Sequence, residues 1–265
     1  MAAPVARLEA RGAFRCCGVR VDALGPDEAM DRLRAFTEEG GGRAVHLCNA
    51  YTLALARRDP AFALAVNRGD LNLADGAPLT WIGRLAGFTR MRRRVYGPDL
   101  MLAATRAGRA RGLRHYLYGS TPEVVGALSR RLADLAPGIE VVGVESPPFR
   151  PLTEAEEAEL VERVRAARAN LMWVGLGTPR QDLFVDRFRD RLGATLVAVG
   201  AAFDFLTGTK RQAPGWMQDR GLEWAFRLAT EPRRLWRRYL IGNAVFLAGA
   251  MRGVEVCATA PEERA

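Results

Sequence analysis

The segment Leu71-Asn72-Leu73-Ala74-Asp75-Gly76 has the strand-then-helix pattern that predicts the fold of this chain. A short apolar run typical of a β-strand ends in an acid and a glycine, and a helical pattern follows from Pro78. In an open α/β sheet, the loop that leaves the carboxyl end of a strand is where ligands bind. A carboxylate held there can accept a proton from a bound hydroxyl group. The alternative is structural: Asp75 caps the next helix and Gly76 makes the turn.

Short apolar runs alternate with helical patterns on both sides of this segment. We predict seven strands, over residues 14–21, 44–48, 71–74, 115–118, 139–144, 171–175 and 195–199. Strands this short and apolar, separated by helices, are typical of a parallel sheet with both faces covered. The pattern therefore predicts an α/β protein with a Rossmann-like, mostly parallel sheet and helices on both faces.

The pattern changes after Asp204, where the sequence indicates helices and no further strands. Aromatic residues alternate there with arginines; they are Trp216, Trp224, Phe226, Trp236, Tyr239 and Phe246. We predict a catalytic domain over residues 14–208 and a helical appendage over residues 209–256. The aromatic and basic surface of such an appendage suits a membrane interface, but the same aromatics could simply dock it onto the sheet.

Composition places the chain among ordinary globular proteins. Of its 265 residues, 49% are hydrophobic and 26% are charged, and no apolar stretch is long enough to span a bilayer. Residues 1–12 lack the apolar region of a secretory signal. The four cysteines have no zinc-site spacing, so we expect idle thiols in a reducing cytoplasm.

The positive charge is concentrated in two stretches. The net charge is +9; residues 84–94 contain five arginines and no acid, and residues 210–238 contain eight basic residues against three acids. Such concentration indicates phosphate, nucleic acid or an anionic membrane as a partner. A nucleic-acid-binding protein is the weaker alternative, because no recognised binding module is present.

Four loops should meet at the carboxyl edge of the sheet: residues 49–52, 75–76, 119–120 and 175–181. Glycines after strands let the backbone approach a phosphate group. However, no early Gly-x-Gly-x-x-Gly is present, which argues against a nicotinamide-dependent oxidoreductase. There is no Asp-x-Asp metal–diphosphate motif, and we expect His46 and His115 to be structural. Arginines would then have to stabilise a diphosphate leaving group.

A series of motifs in one order makes the chain resemble the WecG/TagA/CpsF family of bacterial glycosyltransferases over roughly residues 15–250. These motifs are Asn49, Ala74-Asp75-Gly76, Arg94-Val95-Tyr96-Gly97-Pro98-Asp99-Leu100, Val174-Gly175-Leu176-Gly177-Thr178-Pro179-Arg180-Gln181-Asp182, Phe203-Asp204-Phe205-Leu206-Thr207-Gly208, Lys210-Arg211-Gln212-Ala213-Pro214, Gly221-Leu222-Glu223-Trp224-Ala225-Phe226-Arg227-Leu228, Glu231-Pro232-Arg233-Arg234 and Arg237-Arg238-Tyr239.

The resemblance implies an inverting transferase that needs no metal or other cofactor. It would move a sugar, typically of the N-acetylmannosamine type, from a UDP-sugar to a sugar on a polyprenyl diphosphate. The product would enter cell-surface polysaccharide or teichoic-acid-type polymers. The enzyme would lie peripherally on the anionic inner face of the cell membrane, without nucleic acid as a partner, and could form a homo-oligomer.

The resemblance also implies roles for particular residues. Asp75 matches the proposed base, Asn49 an asparagine near the acceptor, and Gln181 a motif glutamine. The diphosphate-binding arginines of the appendage match Arg227, Arg234 and Arg237. The further substrate-binding candidates are Thr52, Gly76, Arg94, Gly119 and Gly177.

Three positions depart from the family pattern. Leu47 stands where threonine is common, Pro-Lys-Gln-Glu becomes Pro-Arg-Gln-Asp at residues 179–182, and Arg-Ala-Pro becomes Gln-Ala-Pro at residues 212–214. Since Leu47 removes a hydroxyl group from the expected pocket, it bears on the choice of sugar. Transfer of glucose or another hexose for exopolysaccharide assembly is therefore the alternative.

Overall fold

A computed structural model of the chain describes residues 12–108 and 112–257. Its strands are β1 Ala13–Cys16, β2 Val19–Asp22, β3 Arg43–Cys48, β4 Leu71–Ala74, β5 Arg114–Gly119, β6 Glu140–Glu145, β7 Leu171–Gly175, β8 Thr195–Ala198 and β9 Glu255–Cys257. Its helices are α1 Pro26–Glu39, α2 Ala50–Arg58, α3 Pro60–Asn67, α4 Ala77–Leu85, α5 Gly97–Gly108, α6 Pro122–Leu135, α7 Glu154–Ala166, α8 Arg180–Leu192, α9 Ala202–Leu206, α10 Gly215–Asp219, α11 Glu223–Thr230 and α12 Pro232–Ala250.

The described strands form one sheet in the order β6-β5-β7-β8-β3-β4-β2-β1-β9. All neighbouring pairs from β6 to β2 are parallel, whereas β1 runs antiparallel to both β2 and β9. Helices α1, α5, α6 and α9 pack together, as do α2, α3, α7, α8 and α12. The predicted α/β fold with a mostly parallel sheet is confirmed.

The strand predicted over residues 14–21 is instead the β1–β2 hairpin. Cys17 and Gly18 both have positive φ angles, 52° and 82°, and Cys16 pairs with Val19. Positive φ at both central residues is the pattern of a type I′ turn, which joins two strands through two residues. The apolar pattern continues through the turn, so it hides the break.

Two other features were not expected from the sequence. The helical segment between β3 and β4 is divided into α2 and α3 at Asp59, whose side chain caps α3 while Pro60 starts it. A strand also exists beyond Asp204, because β9 pairs with β1 at the edge of the sheet. The expectation that the chain ends in helices alone was therefore wrong.

The appendage packs against helix α2 and also exposes aromatic rings. Leu235 and Phe246 of α12 are buried, and Gly242 and Gly249 bring this helix close to Tyr51 and Arg57 of α2. By contrast, the rings of Trp216, Trp224 and Trp236 are exposed. Within the described ranges, no helix combines the length and apolar character that crossing a bilayer requires.

Candidate active site

The carboxyl ends of β3, β4, β5, β7 and β8 open onto one edge of the sheet, because these strands are parallel. After β5 the chain turns outwards to β6, whereas after β7 it turns the opposite way to β8. Such a reversal leaves a crevice beyond the strand ends, which is the usual ligand site of open α/β sheets. The predicted site loops therefore lie along one edge of the sheet, spread over the five neighbouring strands from β5 to β4.

The two strands at this reversal approach each other through glycines. Gly119 has a φ angle of 137°, and a Cβ atom there would lie only 2.5 Å from the carbonyl oxygen of Gly175. The backbone N–H of Ser120 donates to the same oxygen at 3.1 Å. Gly177 also has a positive φ angle, but the space beside it is open. Gly119 is thus required by packing and Gly177 by backbone conformation.

Gln181 holds two of the loops together. Its Oε1 accepts the backbone N–H groups of Gly177, at 3.0 Å, and Gly200, at 2.9 Å. The residue is only 2% exposed. The sequence suggests a substrate contact for Gln181, and the structure shows that its side-chain oxygen braces the loops after β7 and β8.

Asp75 does not cap α4. The residue at the cap position is Gly76, and no side chain makes a cap hydrogen bond. The backbone N–H of Asp75 donates to the carbonyl oxygen of Cys48 at 2.7 Å, which fixes the loop after β4 beside the end of β3. Its carboxylate Oδ1 is buried and has no hydrogen-bond partner among the described residues. The prediction that Asp75 caps α4 is therefore wrong.

Burial and the neighbouring charges determine the pKa of the Asp75 carboxyl group. Burial raises the pKa of this carboxyl group to about 7, and the nearby Glu223 carboxylate adds to the rise. The guanidinium groups of Arg94 and Arg227 lower the pKa, as does the backbone N–H of Gly97. A carboxylate whose pKa lies near neutral pH is well matched to the work of a general base.

Asn49 stands beside this loop and is itself fixed in place. Its Oδ1 accepts the backbone N–H groups of Tyr51 and Thr52, so it caps α2. Thr52 is fully buried, and its hydroxyl oxygen accepts the N–H of Asn49 at 3.3 Å. A Cβ atom on Gly76 would lie 3.5 Å from the Cβ of Asn49. Thr52 thus positions Asn49 rather than facing the crevice.

Arg94 links the loop before α5 to the appendage. Its Nη2 lies 2.6 Å from Glu223 Oε2 and donates to Gln218 Oε1 at 3.0 Å. The guanidinium group also lies 4.1 Å from the centre of the Tyr96 ring. The Tyr96 hydroxyl group is buried without a hydrogen-bond partner in the described part of the chain. The side chain of Arg94, a predicted substrate-binding residue, therefore forms its ion pair with α11 and donates a hydrogen bond to α10.

The turn between α10 and α11 packs directly on α4. A Cβ atom on Gly221 would lie 2.8 Å from Ala77 Cβ and 3.0 Å from the ring of Trp81. Ala77 is the first residue of α4 and follows Asp75 and Gly76 immediately. The appendage therefore borders the Asp75 loop.

A group of arginines lies where the appendage meets α2. Arg238 stacks on the ring of Tyr51 at 4.2 Å, and its Nε is buried without a partner among the described residues. Burial lowers the pKa of Arg238, and the positive charges of Arg227 and Arg234 act in the same direction. A guanidinium group with a buried unpaired N–H and like-charged neighbours is well suited to bind an anion.

Arg238 is a further candidate that the sequence did not single out, and it lies next to the predicted Arg237. Arg237 is exposed, and its guanidinium group lies 5.1 Å from the ring centre of Trp236. The helical period places Arg238 on the buried face of α12, because Leu235, Arg238 and Gly242 lie three and four residues apart. Arg234 pairs with Glu231 at 2.6 Å, and Arg227 lies over Phe205 at 5.5 Å.

The remaining candidates lie beneath the crevice. Leu47 is 3% exposed and packs against Gly97, so it shapes the floor of the site and not its open surface. His46 is buried with its Nδ1 3.0 Å from Asp182 Oδ1. His115 is buried and accepts from Trp173 Nε1, and burial lowers its pKa to about 4. Among the described residues, no group of acidic, histidine and cysteine side chains could hold a metal ion.

The site combines a buried carboxyl group, whose pKa lies near neutral pH, with a nearby group of arginines. The carboxylate can take a proton from a hydroxyl group, and the arginines can stabilise negative charge on a departing diphosphate. These are the two tasks that sugar transfer from a nucleotide requires of a protein.

Known proteins share this sequence pattern. The chain is 27% identical over 186 residues to the N-acetylglucosaminyldiphosphoundecaprenol N-acetyl-beta-D-mannosaminyltransferase of Bacillus spizizenii, and the match covers 70% of each chain. It is 24% identical over 206 residues to the protein of the same name from Bacillus subtilis, covering 77% of this chain and 78% of that one. The model of the glycosyl transferase WecG/TagA/CpsF family matches residues 14–255. This chain therefore belongs to the WecG/TagA/CpsF family of glycosyl transferases.

Proposed function

We propose that this enzyme transfers an N-acetylmannosamine-type sugar from a UDP-sugar to N-acetylglucosamine on a polyprenyl diphosphate. The names of the two Bacillus relatives state this sugar and this lipid-linked acceptor. The observation that carries the proposal is Asp75, whose buried carboxylate lies at the end of β4 with a pKa raised to about 7.

In the proposed reaction, Asp75 accepts the proton of the acceptor hydroxyl group while that oxygen attacks the anomeric carbon of the donor. The bond from the anomeric carbon to the UDP oxygen breaks, and UDP leaves with its electron pair. Attack opposite the leaving group inverts the anomeric centre, which gives a β-linked sugar from an α-linked donor. A single carboxylate base suffices for this displacement, by analogy with inverting glycoside hydrolysis, where a base activates the incoming oxygen.

The appendage arginines would stabilise the leaving UDP. The charges of Arg227 and Arg234 both act on Arg238, and Arg227 also acts on Asp75, so we propose that these three arginines share one diphosphate. Guanidinium groups match phosphate oxygens with two parallel hydrogen bonds and need no metal ion to do so. We therefore propose that the reaction is independent of divalent cations, and that chelation with EDTA leaves the turnover unchanged.

The enzyme must meet a lipid-linked acceptor, so we propose that it works at the cytoplasmic surface of the cell membrane. The exposed rings of Trp216, Trp224 and Trp236 and the nearby arginines are suited to an anionic interface. A glucose or other hexose donor is the alternative, because Leu47 places an apolar side chain under the pocket.

The test is UDP release from a panel of UDP-sugars, with N-acetylglucosaminyl diphosphate on a short polyprenol as acceptor. We expect acceptor-dependent release with UDP-N-acetylmannosamine, by the wild-type enzyme and not by Asp75→Asn. Release with a hexose donor alone would favour the alternative, and undiminished release by Asp75→Asn would refute the role of Asp75.

A further inference from the structure

The outer face of α4 contains a groove that the site described above does not use. Leu79, Thr80 and Gly83 of this helix are buried. Trp81, Arg84 and Leu85 lie on the opposite side, three and four residues apart. Together with Thr89 and Arg92 they line a cavity of about 830 Å³, which we call the α4 groove.

The α4 groove is rich in positive charge that the protein does not neutralise. Arg84 and Arg92 are exposed, and neither of them forms an ion pair within the described ranges. Their neighbour Arg90 differs, since its Nη1 lies 2.9 Å from Glu28 Oε1. Unpaired guanidinium groups beside a concave surface attract an anion such as a diphosphate.

The same groove displays a strongly apolar surface. Leu85 is 89% exposed and Trp81 is 49% exposed, one helical turn apart. Exposed apolar groups clustered in this way mark binding surfaces more often than scattered single residues do. The α4 groove therefore offers an anion site and an apolar site side by side.

The α4 groove lies along the helix that leaves the Asp75 loop. Ala77 starts α4 directly after Asp75 and Gly76. At a rise of about 1.5 Å per residue, Trp81 lies roughly 9 Å and Leu85 roughly 15 Å along the helix from Asp75. The groove thus leads away from the place where the acceptor hydroxyl group must react.

The reaction proposed above involves two diphosphates, one in the donor and one in the lipid-linked acceptor. The arginines of the appendage can serve one of them, since Arg238 lies over Tyr51 in the first turn of α2, which follows β3. The second diphosphate needs its own cations, and the unpaired arginines beside α4 supply them.

We propose that the α4 groove binds the acceptor, with Arg84 and Arg92 holding its diphosphate and Leu85, farther along the helix, contacting the first isoprene units. This inference rests on the proposed function, because it assumes a polyprenyl diphosphate acceptor. A flat bilayer contact would not require a cavity with unpaired arginines beside the helix that leaves the Asp75 loop, and for this reason the acceptor is the occupant that the structure favours.

The experiment compares two variants with matched controls. The groove variant is Arg84→Ser with Arg92→Ser, and its apolar counterpart is Leu85→Ser. The controls are Arg131→Ser on α6 and Leu64→Ser on α3, which change exposed residues of the same types elsewhere. Transfer is measured in water without vesicles, with N-acetylglucosaminyl diphosphate linked either to farnesol or to ethanol.

We expect the double arginine variant to raise the KM for both acceptors about ten- to a hundredfold, since each lost charge-assisted hydrogen bond affects binding by that order. Leu85→Ser should raise the KM for the farnesyl acceptor alone. Neither variant should change the KM for the UDP-sugar, and the control variants should behave as wild type. An unchanged acceptor KM in the groove variants would overturn the proposal.

Two further outcomes separate this inference from others. If the groove variants lose activity only with a long-chain acceptor in vesicles of phosphatidylglycerol, the surface contacts the bilayer and the proposal is wrong. If wild type transfers no sugar at all, the proposed function fails, and calorimetric titration with farnesyl diphosphate then decides. Binding by wild type that weakens in the groove variants and not in the controls would support the groove, and absence of binding by wild type would refute it.

Discussion

Arg94 Nη2 lies 2.6 Å from Glu223 Oε2, and this ion pair joins the loop before α5 to the first turn of α11. The two charges act on Asp75 in opposite directions, since Arg94 lowers its pKa and Glu223 raises it. The appendage therefore contributes to the acidity of a carboxylate that the catalytic domain supplies.

This relationship predicts opposite pH shifts in two variants. The wild-type kcat/KM should fall on the acid side with an apparent pKa near 7, because a protonated Asp75 cannot accept a proton. Arg94→Gln should move this limb to higher pH, and Glu223→Gln should move it to lower pH. The measurement is the pH dependence of kcat/KM for the acceptor between about pH 5 and 9. Shifts in the same direction would contradict the arrangement.

Asp75→Asn should lose activity and gain stability. Removal of a general base typically lowers the rate by about 10²- to 10⁴-fold. The folded protein holds the Asp75 proton more tightly than the unfolded chain does, because its pKa is raised to about 7. Stability of the wild type therefore falls as the pH rises from the ordinary carboxyl range to about 7, and the cost is complete above that.

The neutral amide that Asp75→Asn introduces avoids this cost, so the variant should unfold at higher urea concentration than wild type at pH 8. The upper limit of the gain is on the order of 4 kcal/mol. At pH 5 the advantage should shrink, which serves as the internal control. A variant that is inactive and also less stable at pH 8 would show that Asp75 is structural.

The sequence predicted the position of Asp75 because parallel strands bring their carboxyl ends to one edge. That inference needs only the alternation of apolar runs and helices, which the strands from β3 to β8 follow closely. The hairpin turn at Cys17 and Gly18 and the three-residue strand β9 were missed for a different reason. The first depends on backbone angles and the second on tertiary pairing with β1, and neither leaves a periodic pattern.

The side chains of the site were harder to predict than their loops. The sequence predicts Gln181 and Thr52 as candidates, but their hydrogen bonds depend on the three-dimensional fold: Gln181 accepts backbone N–H groups of two loops, and Thr52 accepts the N–H of Asn49. Whether Arg237 or Arg238 faces α2 depends on how α12 is rotated about its own axis. This rotation is set by the burial of Gly242 and Phe246, which sequence spacing alone did not establish.

Arg238→Met should weaken UDP binding without destabilising the fold. The buried Nε of Arg238 has no partner in the described part of the chain, so a methionine of similar length removes a desolvated charge while keeping contact with Tyr51. We expect the Kd for UDP to rise about tenfold or more, since hydrogen bonds to charged groups are worth roughly 1.5–3 kcal/mol. Arg237→Met is the matched control and should bind UDP more nearly like wild type. Equal losses in both variants, measured by calorimetry, would contradict the assignment.

Gln181→Met should loosen the loops after β7 and β8. The variant keeps the volume of the side chain but leaves the N–H groups of Gly177 and Gly200 without their acceptor. Each unsatisfied buried group costs about 1–3 kcal/mol, so both the free energy of unfolding and the affinity for the UDP-sugar should fall. Gln181→Glu retains an acceptor oxygen and should preserve more of the loop structure. Wild-type stability and KM in Gln181→Met would show that the brace is unimportant.

Gly119→Ala and Gly177→Ala separate steric packing from backbone strain. Both glycines have positive φ angles, 137° and 75°, but only at Gly119 would a Cβ atom meet another group, the Gly175 carbonyl oxygen at 2.5 Å. Left-handed strain alone costs about 1–2 kcal/mol, which is the loss expected for Gly177→Ala. Gly119→Ala must in addition push β5 and β7 apart at the crevice, so its loss of unfolding free energy should be clearly larger and should come with weaker UDP binding. Urea unfolding and UDP titration of the two variants measure both effects, and equal losses would mean that the close approach of these strand ends does not shape the site.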